Sequence, residues 1–173
     1  MRRGWNLSEV SKAIKFDSGK AKARYFYWDA LSSLAGRPEN IIGEIYMDRL
    51  IKSLQLERYV LSKVLLQDIA VSLHKSLKEG GDLAPSLGVT KASTLGAEKY
   101  GHFNYQKGFN WSQPIDALGR HMLQYLDGQK MDEESGLDHR YHMLANIYML
   151  AYHIDKNIGT NDLLAQETKD ENN

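Results

Sequence analysis

Apolar residues along this chain recur at three- and four-residue steps rather than in alternation, and that period limits most sharply what it can fold into. From Ile41 to Leu77 the positions Ile42, Ile45, Leu54, Leu61, Leu65, Ile69 and Leu73 follow it, which predicts one long helix or two stacked ones. Only three prolines, Pro38, Pro85 and Pro114, interrupt the 173 residues. The expected fold class is therefore all-α. "YWDALSSLAG" reads as a short helix stopped by Gly36, "KEGGDLAPSLG" as a loop, and "TKASTLGAEKYGHFNYQKGFNW" as a helical turn or two giving way to an aromatic, glycine-rich segment. "SQPIDALGRHMLQYL" reads as a helix capped by Ser112, with Pro114 in its first turn and a stop at "DG". A last long helix spans about 137–153, and 160–173, closing in "KDENN", reads as a disordered, solvated tail.

A chain of this length with 42% hydrophobic residues supports one core, so 1–173 is expected to form a single domain. Lys and Arg number 22 against 22 Asp and Glu. That balance gives no long-range pull toward a polymer nucleic acid or an anionic membrane, and leaves room for a local basic pocket. No stretch is long and apolar enough to cross a bilayer, and "MRRGWNLSEVSKAIKFD" lacks the apolar run of a signal peptide, so a cytoplasmic location is expected. With no cysteine, any metal must rely on His, Asp, Glu and amide oxygens, a set that suits Mg or Mn at least as well as Zn.

Residues 132–142, "DEESGLDHRYH", crowd four carboxylates and two histidines around one Ser-Gly turn. In the helix that follows, His139, His142, Asn146 and His153 share one stripe, while Leu137, Tyr141, Leu144, Tyr148 and Ala151 carry the core-facing period. The histidine stripe faces either water or a polar cleft. Asp132, Glu133 and Glu134 either complement the helix dipole or join His139 and His142 around a divalent cation. In the preceding helix Asp116 and Arg120 can pair at i, i+4. The short link "DGQKM" makes that helix an antiparallel neighbour of the last one, so His121 could look across at His139 and His142 and Arg120 could hold a phosphate. "EKYGHFNYQKGFNW" sets Lys99 and Lys107 among Tyr100, Phe103, Asn104, Tyr105 and Trp111, either as a base-stacking and phosphate-holding wall or as a loop whose aromatics plug the core. "KFDSGKAKAR", with Lys15, Lys20, Lys22 and Arg24 close after Lys12, could wrap a triphosphate but is too irregular for a Walker loop.

Three segments together, "KFDSGKAKARY", "LGAEKYGHFNYQKGFNW" and "DALGRHMLQYLDGQKMDEESGLDHRYHMLANIYML", resemble the phage dATP/dGTP diphosphohydrolase family, grouped with MazG-like nucleotide pyrophosphohydrolases of the MazZ type. The resemblance covers the first 35 or so residues and about 94–152, and its "DxESGLxHxxHxxxN" block is fairly specific. It implies an all-α MazG-like helical bundle with a long helical insertion at 36–93, within one nucleotide pyrophosphohydrolase domain. It also implies metal-dependent hydrolysis of purine deoxynucleoside triphosphates, chiefly dGTP, to the monophosphate and pyrophosphate, with dGMP feeding 2-aminoadenine DNA synthesis in some phages. The location is then the host cytoplasm if the chain is phage-encoded.

The family pattern points to Lys99, Tyr100, Gly101, Asn104, Gly108 and Trp111, and to Arg120, His121, Asp132, Glu134, Ser135, Gly136, His139, His142 and Asn146. On this reading Mg2+ or Mn2+ is the cofactor, with Asp132, Glu134, His139 and His142 as leading ligands and Glu98 and Asp116 behind them. Glu134, His139, His142 and His121 are the catalytic candidates. Lys20, Arg24, Lys99 and Arg120 are placed on the phosphates, Tyr100, Asn104, Trp111 and Asn146 on the rest of the substrate. The partners expected are a small-molecule substrate and a second copy of the chain, since MazG-like folds often dimerise and the Ile41–Leu77 stripes exceed what a small core needs. Two alternatives stand beside this reading: a His-Asp type triphosphohydrolase, although no adjacent "HD" pair occurs, and a non-catalytic nucleotide-sequestering module.

Overall fold

In the first helix, α1 (Glu44–Gln55), Met47, Leu50, Ile51 and Leu54 fall at helical spacing and all four are buried. The computed structural model describes Lys20, Lys22 and residues 44–164. The proposed helix at "YWDALSSLAG", Arg24 and the tail beyond residue 164 lie outside the described residues. After α1 the chain reverses through Glu57, whose φ of 52° is left-handed, while Arg58 N–H donates to Ser53 O at 2.8 Å. The next helix, α2 (Tyr59–Gly80), lies back against α1, so the Ile41–Leu77 pattern resolves into two packed helices. Ser53 and Ser62 hydroxyls meet across the pair at 2.8 Å.

α3 (Pro85–Tyr100) begins earlier than the glycines and proline of "KEGGDLAPSLG" suggest. Only 81–84 form the link, because Pro85 occupies the first helical turn, where its missing N–H costs nothing. Gly88, which reads as a breaker, is instead a close-packing position: a Cβ there would stand 2.3 Å from a ring carbon of Tyr141. A 3-10 turn, Asn104–Lys107, leads to α4 (Ser112–Leu126). Ser112 does not cap this helix. Its N–H and hydroxyl donate to the Asp162 carboxylate at 2.9 and 2.6 Å, which ties the chain beyond the last helix to the start of α4.

The last helix, α5 (His139–Lys156), is capped by Asp138, whose side chain accepts from Arg140 N–H. α2, α3 and α4 all pack on it, so it is buried on several faces rather than along one stripe. Tyr148, expected in the core, is 44% exposed, and Ala151 is only half-buried. Met143, Ile147, Leu150 and Ile154 take the core positions instead. Among the described residues, the buried side chains of α1 to α5 form one hydrophobic cluster. Among the described residues there are only isolated bridges and no strands, and no helix is long and apolar enough to cross a membrane.

One buried ion pair fixes the start of α5. Arg140, 3% exposed, donates to both Asp138 carboxylate oxygens at 2.9 and 2.5 Å, and also to Ser76 O and Gly80 O at the end of α2. His139 lies between the two paired residues in sequence, so the anchor sets where its ring projects.

Candidate active site

The acidic run of "DEESGLDHRYH" is a closed turn rather than the first turn of a helix. Met131 and Asp138 bridge its base, Asp132 N–H donates to Leu137 O at 2.8 Å, and Gly136 N–H donates to Asp132 O at 2.8 Å. Gly136 takes φ of 67°, a left-handed turn that favours glycine. Ser135 N–H donates to Asp132 Oδ2 at 2.9 Å, an Asx-type bond that holds the Asp132 carboxylate at the mouth of the turn. The dipole-complementing role at the helix start falls to Asp138 instead.

Three imidazoles meet that carboxylate. His121, arriving from α4, approaches His139 with its Nδ1 2.9 Å from His139 Nδ1, and its ring stacks on His142 with centroids 4.6 Å apart and planes 12° apart. His142 Nε2 lies 2.7 Å from Ser135 Oγ and 3.8 Å from Asp132 Oδ2. His121, Asp132 and His139 each offer a ligand atom, all within 4.8 Å of one another. His139 is 1% exposed and its Nε2 has no hydrogen-bond partner.

Burial, and then the neighbouring His142 and His139, push the His121 pKa down to about 3. Burial likewise lowers His139 and His142, against the pull of Asp132. Burial opposes the charge of Asp132, but its Ser135 hydrogen bonds and the adjacent histidines outweigh that and hold its pKa below the usual value. Near neutral pH the group is thus neutral imidazoles beside an ionised carboxylate. This is the protonation state a divalent cation needs in its ligands, so the donor set fits such an ion.

A cavity of about 1320 Å3 opens over this cluster. That exceeds the roughly 300–1,000 Å3 of common small-molecule sites, leaving space for a nucleotide with ions and water. Lys20, Glu98, Lys99, Tyr100, Asn104 and Arg120 line it, as do His121, Asp132, Glu134, His142 and Asn146. Lys99 pairs with Glu134 across the opening; the hydrogen bond to Glu134 raises the lysine's pKa, and the same bond lowers that of Glu134. Asn146 donates its side-chain N–H to His142 O at 2.8 Å.

Two candidates lie elsewhere. Asp116 is buried in α4 and is not among the lining residues. Trp111 is 2% exposed, donates its indole N–H to Ile158 O at 2.9 Å, and meets Tyr59 edge-on, so it serves the core rather than the cavity wall. His153, on the proposed histidine stripe, is also separate: it packs edge-on against Phe109 and its Nε2 lies 2.7 Å from Tyr105 O. Thr90, Ser93, Gln124, Tyr148 and Tyr152, which the sequence did not single out as site residues, are also among the lining. Only the small and hydroxyl residues ahead of Lys99 in α3 signal this, since they leave one helix face open beside bulky neighbours.

Residues 84–163, which contain all of α3, α4 and α5, match the model of a family described as dATP/dGTP diphosphohydrolase, N-terminal. No curated protein and no solved structure matches the chain.

Proposed function

We propose, from the match of residues 84–163 to the model of the dATP/dGTP diphosphohydrolase family, that the chain hydrolyses purine deoxynucleoside triphosphates, chiefly dGTP, to the monophosphate and pyrophosphate. The observation that carries this reading is the convergence, inside the matched segment, of a carboxylate–imidazole cluster with Lys99 and Arg120 around one cavity. The same match supports reading the chain as a hydrolase. The finer reading adds Mg2+ or Mn2+ as cofactor and, where the gene is viral, dGMP destined for 2-aminoadenine DNA.

Phosphoryl chemistry depends on charge neutralisation and positioning more than on a covalent nucleophile. Lys99 and Arg120, with Lys20 at the rim, supply positive charge for the triphosphate. Tyr100 and Asn104, which line the same cavity, suit stacking and edge contacts to the nucleoside. His121, Asp132 and His139 are the residues that would hold a divalent ion. Such an ion supplies charge neutralisation and a more acidic bound water. His142, oriented by Ser135 and kept neutral by burial, is placed to take a proton from an attacking water. Glu134 enters this arrangement only when Lys99 exchanges it for phosphate.

Self-association belongs to the same proposal. Val60, Val64 and Val71 leave a solvent-facing apolar stripe on α2, which a second copy of the chain would cover.

The test is incubation of the purified chain with dGTP, dATP, dCTP or dTTP, with Mg2+, with Mn2+ and with chelator, followed by chromatography of the products. Metal-dependent dGMP and pyrophosphate are expected. Deoxynucleoside with intact triphosphate would move the chain to the His-Asp type chemistry, and binding without turnover to the sequestering module.

A further inference from the structure

The cluster at the cavity floor is poorer in carboxylates than the sequence suggests. Of the candidate acidic ligands, only Asp132 joins it. Glu134 is exposed and engaged by Lys99, Glu98 is exposed on α3, and Asp116 is buried away from the lining. A Mg2+ site is ordinarily built from oxygens, whereas imidazoles favour the later first-row ions.

The spacing of the two imidazoles carries the argument further. Two nitrogens each about 2.1 Å from one ion stand about 3.0 Å apart when they subtend a right angle at it and about 3.4 Å apart at the tetrahedral angle, so a pair near 3 Å needs only a small opening to take an ion. His121 Nδ1 and His139 Nδ1 are 2.9 Å apart, and Asp132 completes the set from a third direction. His139 Nε2 has no partner among the described residues, so it is free to carry the ring proton, which leaves the Nδ1 lone pair facing His121 for an ion. Asp138 and Arg140 hold the start of α5 from the buried side, so His139 is positioned without using its own ring nitrogens in a packing bond.

We propose that His121, His139 and Asp132 form a resident site for a late first-row divalent ion of the Zn2+ or Co2+ class, and that Mg2+ enters the cavity only with the nucleotide. This rests on the reading of the cavity as a hydrolase site, but its primary readout is Co2+ binding, and turnover serves only to separate the two readings. Three protein ligands leave coordination positions open toward the cavity, where His121 and Asp132 are both accessible from the lining.

The experiment is titration of the chelator-stripped full chain with CoCl2, read by the visible d–d absorption of bound Co2+. A saturable band at one ion per chain is expected, displaced by equimolar Zn2+ and retained in large excess of Mg2+. His121→Ala and, as a second variant, Asp132→Asn should each weaken Co2+ binding by ~100-fold or more, beyond the 10–100-fold typical of residues behind a ligand. Glu134→Gln should leave binding unchanged, and circular dichroism checks that each variant is folded. No band, displacement by Mg2+ at comparable concentration, or a band untouched in folded His121→Ala would overturn the proposal. Turnover of dGTP by a chain without the Co2+ site would overturn it while leaving the hydrolase reading intact; a Co2+ site in a chain without turnover would support it and sink that reading.

Discussion

Asp138→Asn should cost the protein about 3 kcal/mol, and the geometry says why. The substitution keeps the shape and an oxygen able to accept Arg140 N–H, so the helix cap survives. What it removes is the charge opposite a guanidinium that is 3% exposed and held at both carboxylate oxygens. Breaking a buried ion pair by removing one partner costs about 3–5 kcal/mol, because the remaining charge is left uncompensated. Here the low end applies, since Arg140 keeps neutral acceptors at Ser76 O, Ser76 Oγ and Gly80 O near the negative end of α2. For a chain of this length the loss corresponds to a Tm lower by roughly 6–12 °C. Urea denaturation followed by circular dichroism measures it. Combining Asp138→Asn with Arg140→Met should show a coupling of roughly 1.5 kcal/mol or more in a double-mutant cycle. A loss below about 1 kcal/mol with no coupling would refute the view that this pair fixes the start of α5.

Other outcomes follow from the same structure. Lys99→Ala should lower kcat/KM for dGTP roughly 10–100-fold, the scale of about 1.5–3 kcal/mol for a charged hydrogen bond; unchanged kinetics would remove Lys99 from the phosphate site. Burial lowers the His153 pKa against the opposing Tyr105 carbonyl contact. The folded chain therefore keeps the ring neutral, while the unfolded chain takes up a proton below about pH 6.5. Stability should fall as the pH drops from 7 toward the lowered folded value, and His153→Gln should flatten that slope in urea titrations across pH. If α2 is where two copies meet, Val64→Glu should convert a dimer to a monomer in light scattering, and a wild-type chain that is monomeric at high concentration would dismiss the interface.

Helical period carried much of the architecture from sequence, and its failures have physical causes. α1, α2, α4 and α5 lie close to where apolar spacing places them, because each buries a periodic face. The start of α3 is hidden because Gly88 reads as a breaker when its role, clearing the Tyr141 ring, depends on a residue far along the chain. The core stripe of α5 misleads at Tyr148 because a helix packed by three others has no single apolar face to detect. In the cavity, reading α4 and α5 as neighbours was enough to suggest that His121 faces His139 and His142, as it does in the fold, although the link between them, 127–138, is longer than "DGQKM". By contrast, neither the Asx-type turn that aims Asp132 nor the Asp162 contact to Ser112 has a local signature; both appear only when the chain closes on itself.

The position of α5 in the chain has a consequence for biosynthesis. It is the last helix among the described residues, yet α2, α3 and α4 all lean on it. A ribosome therefore emits those three helices with their apolar faces before their common support exists, and the nascent chain must keep those faces from sticking to one another or to other chains. His139 arrives with that same helix, so the interior and the cluster around Asp132 are completed in one event. A chain truncated before His139 would lack both together.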